Sequence, residues 1–305
     1  MKFQNREVER LMEMYFRTNS NILLIGPSGT GKTMVVQETC EKMKRQLFLV
    51  TGQESMQDTD LFGSFSGRKT ENGYEWVDGL LTKAFASAAA GIPTTFFMDE
   101  MNRWPTQYQN SLIETINCYD KDHYVVRNHQ LQKTLRAPRN MLQFIATANI
   151  GQAGTNDIPF ALKDRFNIVR VDYPGKETEV KILKVTGLDE DIAGTLVSFA
   201  DITRQGAAKM EYPAGISTRA LVGVAEQYQM LGNGLTDRTQ KLNCLGLLMQ
   251  SPIYRISGAC DVPDAEEATT ALLEIFKTMI RKLAGAAPAS VARARGGMGA
   301  SPAAI

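Results

Sequence analysis

Eight residues near the N-terminus carry the clearest chemistry. Gly26-Pro27-Ser28-Gly29-Thr30-Gly31-Lys32-Thr33 fits the spacing GxxxxGK[ST]. Glycines at that spacing let the backbone curl until its N–H groups face inward, which makes a cradle for phosphate. Lys32 then reaches the β- and γ-phosphates of a nucleotide, and the Thr33 hydroxyl is a ligand for Mg²⁺. A second reactive pair stands at Asp99-Glu100, where the apolar run Thr95-Phe96-Phe97-Met98 ends in two carboxylates. Transfer of a phosphoryl group to water needs one carboxylate to hold the metal and another to polarise the attacking water. Asp99 takes the first role and Glu100 the second. The expected ligands are ATP and Mg²⁺, and the expected reaction is hydrolysis.

Such a site works only if strands and helices deliver these residues to one place. Ile22-Leu23-Leu24-Ile25 is a short continuous apolar run, as in a strand buried on both faces of a parallel sheet. It runs straight into the glycine loop, and a helix is expected from Lys32 to about Arg45, so the loop sits at a helix N-terminus. Further strands are expected at Leu47–Val50, Thr95–Met98, Leu142–Thr147 and Asn167–Val171. Helices are expected at Arg6–Phe16, Leu80–Ala90 and Thr106–Cys118. Alternating strands and helices predict an α/β layered sheet, with ligands at the carboxyl ends of the strands.

Tyr173-Pro174-Gly175 breaks this pattern and marks a domain boundary. From Lys176 to about Ala284 nearly everything reads helical. Turns are expected at Gly187, Gly206, Tyr212–Gly215, Gly232-Asn233-Gly234 and Ser251-Pro252. The expected organisation is therefore an α/β core over 1–173, a small all-α domain over 174–285, and a tail over 286–305 too rich in Ala, Gly, Pro and Ser to order itself.

The bulk properties exclude several classes. Lys and Arg total 34 against 33 Asp and Glu, a net charge of +1, so no global charge draws the chain to nucleic acid or membrane. No apolar run approaches the roughly 20 residues of a membrane helix, and the start has no signal-peptide core. Cys40, Cys118, Cys244 and Cys260 form no CxxC pair, so neither zinc nor a disulfide framework is indicated. A cytoplasmic location is expected.

In order along the chain stand the phosphate loop, Asp60-Leu61-Phe62-Gly63, Gly73–Leu81, Met98-Asp99-Glu100-Met101-Asn102-Arg103, Ala146-Thr147-Ala148-Asn149, Ala161–Phe166 and Gly215–Ala220. This ordered set resembles the AAA+ ATPases, and within them the MoxR-like group close to the dynein-related AAA_5 type, over about Met1 to Ala284. The resemblance implies a P-loop NTPase core followed by a helical lid. It implies that Asn149 is the sensor-1 residue that positions the attacking water. Arg165 is then the arginine finger that reaches a neighbour's nucleotide, and Arg219 the sensor-2 arginine of the lid. Guanidinium groups suit these roles because the transition state spreads charge over phosphate oxygens. Read without the resemblance, Asn149 caps a turn, Arg165 pairs with Asp164 at the surface, and Arg219 is a solvated residue in a helix N-capped by Ser217.

Two further segments resemble the family's inserts. Ser64–Val77 matches the helix-2 insert, with Asn72-Gly73 as a hairpin turn, and Tyr119–Arg139 matches the pre-sensor-1 hairpin. Arg68, Lys69, Lys121 and Arg127 lie in them, as do the two histidines, His123 and His129, for which no third metal ligand is visible. The resemblance implies a homo-oligomeric, hexameric ring that remodels a protein partner, one with a von Willebrand A domain among the candidates. No DxSxS metal motif occurs in this sequence, so that domain belongs to another chain. A nucleic-acid-linked motor is the alternative, disfavoured by the neutral charge. A nucleotide-switched scaffold is a third, disfavoured by the intact Glu100 and Arg165.

Overall fold

The computed structural model describes residues 3–70, 73–117, 120–128, 133–149, 157–232, 234–257 and 265–285. Asn72, Cys118, His129, the Ile150-Gly151 step, Asn233, Cys260 and the 286–305 tail lie outside the described residues. The chain divides into two compact units, residues 2–173 and 174–305.

In the first unit the elements follow in the order α1 (Arg6–Arg17), β1 (Ile22–Gly26), α2 (Lys32–Lys42), β2 (Gln46–Thr51), α3 (Asp58–Phe62), β3 (Gly63–Thr70), β4 (Gly73–Asp78), α4 (Leu80–Ala89) and β5 (Thr94–Asp99). A 3₁₀ turn at Met101–Arg103 precedes α5 (Thr106–Asn117), β6 (His123–Asn128), β7 (Lys133–Pro138), β8 (Leu142–Asn149), α6 (Phe160–Lys163) and β9 (Asn167–Arg170). Five strands form one parallel sheet in the order β2-β5-β8-β1-β9. Successive side chains of a strand point to opposite faces. Accordingly Ile22 and Leu24 pack with Val8, Met12 and Phe16 of α1 and Val35 and Val36 of α2, on one face of the sheet. Leu23 packs with Phe96, Phe144 and the α4 residues Leu81 and Phe85 on the other. The α/β parallel architecture expected from the sequence is the architecture found.

Two strands differ from expectation. The Leu47–Val50 run predicts a strand buried on both faces, yet β2 is an edge strand whose Leu47, Phe48 and Leu49 are only half-buried. At the opposite edge β9 buries only Val169. An apolar run does not distinguish a central strand from an edge strand covered by helices. The two inserts are antiparallel hairpins, β3–β4 and β6–β7. Phe65 and Trp76 stack edge to face across the first, with ring centroids 5.1 Å apart.

The second unit comprises α7 (Lys176–Val185), α8 (Glu190–Ala208), α9 (Thr218–Gly232), α10 (Arg238–Leu248), α11 (Gln250–Ser257) and α12 (Ala265–Gly285) around their own apolar core. Phe199 of α8 and Phe276 of α12 meet at its centre, 4.8 Å between ring centroids. Two expected turns fall inside helices. Gly206 lies within α8, where any side chain would collide with the Tyr212 ring at 2.3 Å, so glycine serves packing rather than a turn. Ser251 and Pro252 lie in the first turn of α11, where proline's missing N–H costs no hydrogen bond. Among the described residues, no helix is long and apolar enough to cross a membrane.

Candidate active site at the carboxyl edge of the sheet

The register of the parallel strands builds the site. β1 pairs with β8 so that Gly26 stands level with Asn149, and β5 pairs with β8 so that Met98 stands level with Ala146. The strand ends therefore gather Gly26, Asp99, Glu100, Thr147 and Asn149 along one edge of the sheet, where Asn149 is buried. The loop leaving β1 requires its glycines. A Cβ on Gly26 would lie 2.0 Å from the Val171 carbonyl oxygen, and Gly31 has φ +91°, in the region that only glycine enters without strain. Gly31 also caps α2, so the N-terminus of that helix opens onto the loop.

Lys32 is buried, with its ammonium donating to the carbonyls of Gly26 at 3.0 Å and Pro27 at 2.7 Å. A cation buried against the loop's own carbonyls is poised for a polyphosphate. The Thr33 hydroxyl donates to both carboxylate oxygens of Asp99, at 3.1 and 3.0 Å. These two residues fit Mg²⁺ brought in with a nucleotide, because that ion takes most of its ligands from phosphate and water and needs few from protein. Among the described residues no cluster of three His, Cys, Asp or Glu side chains could hold a metal without such help. His123 lies 3.7 Å from Asp120, away from this edge.

Glu100 has φ +52°, unusual for a residue with a side chain. Its backbone N–H donates to the Thr147 hydroxyl oxygen at 2.8 Å, while that hydroxyl donates to Asp99 at 2.5 Å. One carboxylate oxygen of Glu100 accepts from the Asn149 amide at 2.9 Å, and the other lies 3.2 Å from Nε of Arg103. Asn102 in turn donates to the Asn149 carbonyl at 2.9 Å. From behind, the Tyr173 hydroxyl donates to the Ser28 carbonyl at 3.2 Å.

The loop Gly26–Thr33, Asp99, Glu100 and Asn149 are thus brought together. Arg165 is not among them. It follows α6 and precedes Asn167, which stands level with Ile22 at the amino edge of the sheet. Gly26 is four residues further along β1, about 13 Å at strand rise. There Nε of Arg165 donates to Asn117 at 2.5 Å, and NH1 donates to the Ala161 carbonyl. Arg219 belongs to the second unit, at the second residue of α9, whose first turn is capped by the Ser217 hydroxyl accepting from the Ala220 N–H at 3.2 Å.

Thr147, Asn102, Arg103 and Tyr173 escape sequence reasoning as site residues. Thr147 is two residues before Asn149 and so shares its strand face, but its place beside Asp99 follows only from the β5–β8 register.

A glycine loop between a parallel strand and a helix, facing an Asp-Glu strand end, defines a phosphate-loop nucleotide-binding protein. The family described as AAA domain (dynein-related subfamily) matches residues 21–166. Protein CbbQ of Hydrogenophilus thermoluteolus is 30% identical over 226 residues, covering 71% of this chain and 76% of that protein. Denitrification regulatory protein NirQ of Pseudomonas aeruginosa is 26% identical, covering 76% of this chain and 84% of that protein. Protein NorQ of Paracoccus denitrificans is 26% identical, covering 67% and 72%. The chain belongs to the AAA+ ATPases, in the MoxR-like, dynein-related group.

Proposed function

We propose that the chain hydrolyses ATP in a closed ring of identical subunits, a hexamer, and uses the reaction to remodel a partner protein. The observation that carries the reading is the linked set Thr33–Asp99–Thr147 and Asn149–Glu100 at the mouth of the phosphate loop. Lys32 and the loop N–H groups bind the nucleotide's phosphates. Thr33 and Asp99 hold Mg²⁺, which when bound supplies positive charge at the phosphate oxygens. Thr147 keeps the Asp99 carboxylate and the Glu100 backbone in fixed relation. Glu100 takes the proton of the attacking water, and Asn149 orients that carboxylate or, once nucleotide is present, the water itself.

Arg165 is bonded at the opposite edge from its own loop, which supports a role on the nucleotide of a neighbouring copy. A head-to-tail contact of that kind, repeated, closes into a ring. The α7–α12 unit then acts as a lid, with Arg219 contacting nucleotide. The relative that carries the name of a denitrification regulatory protein supports a regulatory role. A partner bearing a von Willebrand A domain suits this reading, and the near-neutral charge supports protein over nucleic acid as the partner.

The test is Glu100→Gln. Its turnover should fall by at least about 10²-fold while ATP binding persists. Loaded with ATP and Mg²⁺, it should retain a specific protein from native lysate longer than wild type does. Normal turnover would sink the assignment of Glu100, and nuclease-sensitive recovery of DNA or RNA would replace the remodelling reading with a motor.

A further inference from the structure

Glu179 of α7 is the one carboxylate fully buried among the described residues, 1% exposed. Burying a charge is costly unless its partners are complete. Here the partners come from two other helices. Arg204 of α8 forms a two-pronged bridge to Glu179, at 2.8 and 2.7 Å, and the Thr218 hydroxyl at the start of α9 donates to Oε1 at 2.7 Å. The same cluster holds the chain entering α9. Nε of Arg204 donates to the Ile216 carbonyl at 2.8 Å, and the Ile216 N–H donates to the Thr203 hydroxyl at 3.0 Å. Gly215 packs so closely on Arg204 that a Cβ would lie 2.7 Å from its Cα.

A buried ion pair stabilises a fold little better than apolar residues of the same volume, and its best-attested use is to fix register. What is fixed here is the segment Gly215–Thr218, immediately before Arg219. The other end of the cluster is the first turn of α7, where the Glu179 N–H donates to the Gly175 carbonyl at 2.9 Å, just past the junction between the units.

We propose that Glu179, Arg204 and Thr218 form a positioning cluster that fixes the start of α9, and with it Arg219, to α7, so that Arg219 and the start of the second unit move as one body. The proposal rests on the reading of Arg219 as a nucleotide contact. Each member has a distinct task. Glu179 gathers donors from α8 and α9 onto α7, Arg204 neutralises it and holds Ile216, and Thr218 carries the restraint to the residue beside Arg219.

The test uses the full chain. Glu179→Gln can fail to fold, so the decisive variant is Thr218→Val, which keeps volume and the Glu179–Arg204 pair and removes one hydroxyl. ATP affinity is read with a fluorescent ATP analogue, kcat and KM by phosphate release, and folding by thermal melting. Thr218→Val should weaken nucleotide affinity by about fivefold to tenfold, with a lowered melting temperature but a protein still folded at the assay temperature, and Thr218→Ser should restore both. In an Arg219→Ala background Thr218→Val should add nothing further, because a group acting through Arg219 has no effect once Arg219 is gone. An equal loss in both backgrounds would overturn the proposal, since it would mark Thr218 as merely structural. A loss with Arg219→Ala and none with Thr218→Val would overturn the proposal alone. No loss with Arg219→Ala would overturn the Arg219 reading and the proposal with it.

Discussion

The two edges of the parallel sheet are built on opposite plans. At the carboxyl edge the charged groups satisfy one another. Asp99 receives hydroxyls from Thr33 and Thr147, and Glu100 is held by Asn149 and Arg103. At the amino edge a cleft of about 520 Å³ is lined by Arg17, Arg139 and Arg165, and no carboxylate lines it. Arg139 stacks on the Tyr124 ring and Arg165 rests on Asn117, so both are braced by neutral groups. One edge bonds its polar groups to one another within the subunit. The other turns three arginines toward an open cleft. In the ring proposed above, the first edge would receive nucleotide and the second would face the next subunit's site.

The contrast can be broken most sharply at Arg165. Arg165→Ala should lower turnover of the assembled protein by on the order of 10³-fold, while a single subunit binds ATP as before. Mixed with wild type it should inhibit more than in proportion to its share, as measured by ATPase titration. Strict proportionality would mean that the amino edge serves no neighbour.

Thr147→Val tests the carboxyl edge. It removes a hydroxyl that accepts from Glu100 and donates to Asp99, and turnover should fall about tenfold, ~1.4 kcal/mol at the barrier, with KM little changed. A change in KM alone would show that Thr147 serves binding rather than the reacting geometry. Arg139→Ala should be milder, lowering turnover about threefold, with an effect that shrinks as salt is raised.

The smallest expected effect leaves activity aside and reports burial. Desolvation pushes the Cys40 thiol up to about 11, so it stays protonated and unreactive at neutral pH, and its thiolate forms only well above it. Iodoacetamide at pH 8, followed by peptide mass spectrometry, should label half-buried Cys244 well before Cys40. Equal labelling would mean that the α2 face opens in solution.

What could be read from the sequence was what is local along the chain. The phosphate loop is eight consecutive residues between a strand and a helix, and Asp99-Glu100 ends an apolar run, so backbone geometry alone gives both meaning. Thr147 and Asn102 join the site only because β8 lies beside β5 in a particular register, a non-local fact with no period to betray it, whereas Arg103 reaches Glu100 from three positions along the same turn, a local contact that an arginine there does not by itself announce. The edge position of β2 was hidden for a related reason, since helices cover an edge strand's faces much as they cover a central one's. Gly206 was misread because a buried glycine needed for Tyr212 looks, in sequence, like one needed for a turn. Glu179 and Arg204, separated by 25 positions, carry no spacing signal at all.

The last residues of the first unit do more than end a strand. Val171 presses its carbonyl against Gly26, and Tyr173 holds the Ser28 carbonyl, while Pro174 begins the second unit. The segment 171–173 is thus fastened on both sides of the first bend of the glycine loop. Loosening either anchor would free the loop's backbone at Gly26 or Ser28, so the shape of the cradle is set partly by residues the loop does not contain.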